Sequence, residues 1–139
     1  MTEIDELGSA VSETKGWIEN LGRRLAWHDQ KKVFLALIAA LHAMRDCLAR
    51  DEAVHVGAHL PPLLRGLYYE GWHPAGRGSL RSHKAFLDRI HEGVHRDVAI
   101  DPEQVAHAVF TLLAERLPAA ELEDAKSATP SPLRRFWPA

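Results

Sequence analysis

One cysteine, Cys47, stands in the 139 residues, so no intrachain disulfide can form. That usage suits a reducing cytosol, where disulfides are rare. Charge of one sign is also scarce, since 17 Lys and Arg against 19 Asp and Glu leave a formal −2. Nucleic-acid binding asks for a clustered basic face, and this balance argues against it. No apolar run approaches the roughly 20 residues that a membrane-spanning helix needs. The opening MTEIDELG is acidic and lacks the apolar stretch of a secretory leader, so a cytoplasmic protein is expected. Strand signals are missing as well, with no alternating stretch and no hairpin dipeptide between apolar runs. There is no phosphate loop, dinucleotide fingerprint or nucleophile elbow, and no cofactor is expected.

What is present is helical periodicity. The stretch DQKKVFLALIAALHAMRDCL, residues 29–48, contains nine consecutive residues without a polar side chain, Val33 to Leu41. A helix apolar on every side is buried on every side, so this is the expected central helix. Before it, Ile4, Leu7, Val11, Thr14, Ile18, Leu21 and Leu25 recur at alternating steps of three and four, one face of a long helix. Gly8, Gly16 and Gly22 weaken that helix and invite a bend. Asp29 is the expected N-cap of the central helix, and Asp51 that of a short helix ending before Leu60-Pro61-Pro62. Pro62 then opens a helix through Tyr69. Residues 71–82, GWHPAGRGSLRS, read as a Gly-rich linker. Ser82 caps a helix that turns Phe86, Leu87, Ile90 and Val94 inward, and Asp101-Pro102-Glu103 starts another that runs to Leu117-Pro118. A short acidic helix to about Ser127 and a last turn from Ser131-Pro132 to Phe136-Trp137 close the chain.

Sliding the chain along itself by 69 residues brings like onto like without a gap. Trp17 meets Phe86, Leu21 meets Ile90, Leu41 meets Phe110, Glu52 meets Glu121, Arg65 meets Arg134 and Tyr68 meets Trp137. The expected fold is therefore all-α: two copies of a helical unit, about 1–72 and 83–139, packed as one bundle-like domain over 1–139. Positions kept in both copies serve the fold on this reading. Asp46 with Arg65, and Glu115 with Arg134, become candidate structural ion pairs.

The segments LHAMRDCLARDEA (41–53), LPPLLRGLYYEGW (60–72) and LRRFWP (133–138), with the Phe86-Leu87 helix start, carry a family resemblance. The chain resembles a bacterial helical family catalogued as domain of unknown function 2267, from Trp17 to Pro138. The resemblance implies a helical fold and a bacterial cytosolic setting. It implies no activity.

Three groups of residues are candidates for function. His91-Glu92-Gly93-Val94-His95 matches HExxH, which on a helix puts two zinc ligands one turn apart with a glutamate as base. Against it, no downstream third ligand announces itself, and a solvated helix face explains the pattern as well. His55 and His59 also stand one turn apart, a spacing that nine histidines produce by chance. Arg65, Tyr68, Tyr69, Glu70 and Trp72 form the densest aromatic and charged cluster, the material of binding patches. Packing of a helix end would use the same residues. The reading that follows is a non-enzymatic interaction or regulatory module with a protein or small-molecule partner, no nucleic acid and no membrane. Homo-oligomerisation stays open. The alternative is a metal-dependent hydrolase using His91, Glu92 and His95.

Overall fold

A computed structural model of the chain describes residues 4–74 and 80–139. The middle of the expected linker, 75–79, lies outside the described residues. Seven α-helices and a closing 3-10 helix follow one another, and no strand occurs among the described residues. In order they are α1 (Asp5–Leu25), α2 (Gln30–Cys47), α3 (Arg50–Gly57), α4 (Pro62–Tyr69), α5 (His83–Gly93), α6 (Pro102–Arg116), α7 (Ala119–Ala128) and the 3-10 helix Ser131–Phe136.

Local chemistry explains the starts. The Asp29 carboxylate accepts from the Lys31 and Lys32 amides at 3.1 and 3.3 Å, Ser82 Oγ from the Ala85 amide at 3.1 Å, and Asp101 from the Glu103 amide at 2.9 Å. Each satisfies a donor that the first helical turn cannot pair internally. Asp51 does not do so. It sits inside the first turn of α3, whose N-cap is Ala49 with no side-chain hydrogen bond, and there its charge suits the positive end of the helix dipole and pairs with Arg50. The long first helix runs through Gly8, Gly16 and Gly22 without a break.

The central helix is α2. It packs against α1, α4, α5 and α6, and every residue from Val33 to Leu41 is buried or half-buried. Its tightest neighbour is α5, and Gly93 is the reason. A Cβ added there would come within 2.5 Å of the Ala39 Cβ and 3.2 Å of its Cα, well inside van der Waals contact. Gly57 has the same role at the end of α3, where an added Cβ would lie 2.7 Å from the Tyr69 ring. Contacts also interlock the first and second halves of the chain: α1 lies on α6, α5 on α2 and α3 on α7. Phe86, Phe110, Phe136 and Trp137 form an aromatic core under the second half, with the Phe110 and Trp137 rings 4.6 Å apart. Cys47 ends α2 wholly buried, and burial pushes its thiol pKa up to about 12.

Candidate functional site

The aromatic and charged cluster sits at the corner where α4 turns back onto α3. Arg65 lies one turn into α4, opposite the C-terminus of α3. Its Nε donates to the Gly57 carbonyl at 3.0 Å, and its Nη2 to those of Ala58 and Leu60 at 3.2 and 3.0 Å. The Ala58 and Leu60 carbonyls lie past the end of α3, the Gly57 carbonyl also accepts from the Leu60 amide at 3.1 Å, and a guanidinium fork at a helix C-terminus meets the negative end of its dipole. Tyr68 is fully buried and donates to the Ala53 carbonyl at 2.7 Å. Burial raises its pKa. Tyr69 donates to the Val54 carbonyl at 3.3 Å, and Trp72 leans on the Tyr69 ring with centroids 5.5 Å apart. Glu70 keeps its side chain exposed while its backbone carbonyl is used elsewhere.

That use falls to a residue the sequence did not single out. Arg45 of α2 is 1% exposed, and its Nη1 donates to the carbonyls of Tyr68 and Glu70 at 2.7 and 2.9 Å. One helical turn earlier, His42 Nε2 donates to the Leu67 carbonyl at 2.7 Å. Burial holds the His42 pKa below the ordinary 6.5, only partly offset by that carbonyl. The buried guanidinium is balanced by Asp46, 2.8 Å away, which also lies 3.7 Å from Arg89. The expected Asp46–Arg65 and Glu115–Arg134 pairs therefore do not form. Arg134 donates instead to the carbonyls of Thr129 and Ser127 at 2.8 and 3.1 Å, and Glu115 pairs with Arg24. Both arginines have found helix-end carbonyls, which match a forked donor better than a distant carboxylate does.

His55 is exposed on α3, with Nδ1 3.7 Å from Glu52, and His59 lies two residues past the end of that helix. With Arg65, His59 lines an open cleft of about 390 Å³ whose other wall is Glu13, Trp17 and Arg116. The HExxH stretch is divided. The helix carrying it ends at Gly93, and His95 takes a left-handed backbone with φ 58°. His91 Nε2 donates to the Asp97 carbonyl at 3.2 Å, while His95 lines a separate cleft with Asp29, Lys32 and Asp97. Two histidines one turn apart on a continuous helix, which the zinc pattern requires, are not found here. Among the described residues no three His, Cys, Asp or Glu side chains are grouped to hold a metal ion.

A family profile matches residues 14–136, from the packed part of α1 to the closing 3-10 helix, and describes an uncharacterized conserved protein. The chain belongs to the DUF2267 family. No curated protein matches it. What the DUF2267 match leaves out is a distinct feature of α1. The seam that begins at Ile4 enters the core only at Thr14, which is 8% exposed, and reaches full burial at Leu21. Upstream, Ile4, Leu7 and Val11 are 60%, 62% and 43% exposed. Thr14 itself satisfies its hydroxyl on the Ala10 carbonyl at 2.9 Å, so the helix passes this boundary unbroken. No described helix is long and apolar enough to cross a membrane.

Proposed function

We propose that this DUF2267 domain is a non-enzymatic interaction module of the bacterial cytoplasm whose docking surface is the exposed start of α1. The observation that carries this reading is the continuation of the core-facing seam of α1 into solvent at Ile4, Leu7 and Val11. A strict alternation of three and four is the narrow stripe that fits one partner helix rather than a broad core. Gly8 and Ala10 beside it leave room for a close approach. The only charges on the described residues 4–14 are Asp5, Glu6 and Glu13. A second copy would set these acids against their own kind, which opposes association. The occupant we assign is an amphipathic helix of another protein whose flanks are basic. The tyrosines and arginines of the α4 corner support the reading indirectly, because their donors are spent on backbone carbonyls.

The test uses the full chain and two synthetic helical peptides with Leu and Ile at the seam positions, one flanked by Lys and Arg and one by Glu. The basic peptide should bind, weaken with salt, and be lost in Leu7→Asp, while Leu63→Asp on α4 changes nothing. Equal binding of both peptides overturns the proposal. So does a concentration-dependent dimer that Leu7→Asp dissolves, since the occupant is then a second copy.

We further propose that the two halves are copies of one helical unit. Supporting this, Arg65 and Arg134, 69 residues apart, both donate to the carbonyls at positions 58 and 60 of their own half, Ala58 and Leu60 in one and Ser127 and Thr129 in the other.

A further inference from the structure

Glu52 and Glu121 occupy equivalent places in the repeat register and meet where α3 packs on α7. Glu52 Oε1 and Glu121 Oε1 are both buried, and neither has a donor from any other group. The two unpartnered carboxyl oxygens belong to helices that pack directly on each other. Two ionised carboxylates facing each other at this partly buried contact would repel, and neither could donate. One proton between them removes the repulsion and supplies the missing donor. We propose that Glu52 and Glu121 share one proton and that this proton latches α3 to α7.

Among the described residues the cation-forming group placed against the pair is His55, and it meets the outer oxygen of Glu52, not the buried one. On α7 the next titratable group facing the pair is Asp124, another acid. On α3, His55 Nδ1 stands 3.7 Å from Glu52 on the solvent side, and the Arg50–Asp51 pair is exposed. From α4, Tyr68 and Tyr69 commit their hydroxyls to Ala53 and Val54, and Arg65 is bound to the far end of α3. Lys126 on α7 pairs with Glu123. Burial, the contact with Glu121 and the repulsion from it raise the Glu52 pKa from 4.5 to about 8. A raised carboxyl pKa means that the folded state binds the extra proton. The stabilisation is complete below pH 4.5 and is lost as pH rises through about 8, when the proton leaves to water or hydroxide and two carboxylates remain. The latch opens with base.

The decisive measurement is a carbon-13 titration of the glutamate side-chain carboxyls in the labelled full chain. One carboxyl of the pair should ionise near pH 8. Between pH 4.5 and about 8 the unfolding constant should rise by up to about tenfold per pH unit from this pair. Glu52→Gln places a permanent donor between the helices and should remove that slope, and Glu121→Gln should do the same if the first variant folds poorly. Ionisation of both carboxyls near 4.5 overturns the proposal, as does a slope that persists in both amide variants.

Discussion

The α4 corner and the closing 3-10 helix use the same device at their entrances and different ones at their ends. Each has a proline as its N-cap, Pro61 or Pro130, and each carries an arginine, Arg65 or Arg134, that gathers carbonyls at the end of the helix before it. Each then presents an aromatic donor, Tyr68 to the Ala53 carbonyl and Trp137 Nε1 to Thr129 Oγ1 at 3.0 Å. Beyond that they part. The end of α4 is clamped from α2 by His42 and Arg45, whereas the residues 69 further on in α6 are Thr111 and Ala114. The 3-10 helix is held by rings instead, with Phe136 stacked on Phe86 at 5.3 Å and His83 at 5.7 Å. A short segment can thus be fixed to a core by charge-assisted hydrogen bonds or by aromatic area, and the entrance does not dictate which.

Substitutions can break that contrast. Phe136→Ala empties the centre of the aromatic core and should cost about 4 kcal/mol, read as a fall in the denaturation midpoint. The α4 corner should be left in place, with hydrogen-exchange protection at Leu67–Glu70 unchanged until global unfolding. Arg45→Met is the reciprocal experiment. It strands the Tyr68 and Glu70 carbonyls and leaves Asp46 with only Arg89, at a cost of about 3 kcal/mol. Here hydrogen-exchange protection should fall in α4 before it falls in residues 131–137. If both regions lose protection together in either variant, the two anchoring modes are not separable.

Acid gives the smallest effect and the same contrast. His42 is held below its ordinary pKa, so the folded state binds fewer protons than the unfolded chain. Its contribution is present above about 6.5 and is lost as pH falls below that value. Protonation puts a second buried cation beside Arg45, so exchange protection at Leu67–Glu70 should decline in mild acid more than at Ser131–Phe136. The carboxyl pair at Glu52 and Glu121 works in the opposite sense, losing stability as pH rises from 4.5 to about 8, so the His42 effect is read from the difference in protection between the two segments rather than from global stability. Identical decline in the two segments would remove His42 from the explanation.

Much of the fold was legible because its signals are local. The all-round apolar run Val33 to Leu41 marked the central helix, and the side chains of Asp29, Ser82 and Asp101 marked helix starts with hydrogen bonds that span only two or three residues. Asp51 misled because the N-cap is itself the extended residue before the first helical turn, and Ala49 holds that conformation. The site was less legible. Arg65 and Tyr68 stood out by composition, but composition does not reveal that their donors meet carbonyls. Arg45 and His42 were hidden because their partners lie more than twenty residues away on another helix. The repeat register paired Glu52 with Glu121 as equivalents, yet equivalence in register says nothing about touching. Their meeting at the α3–α7 contact is a property of packing alone.

Cys47 turns the core into a clock. Its sulfur is wholly buried at the end of α2 and stays protonated at neutral pH. A thiol reagent therefore reacts only with molecules in which that end of the helix has opened, and no second cysteine confuses the count. With reagent in excess, the labelling rate becomes the opening rate itself, so the unmodified chain reports how often its centre is breached.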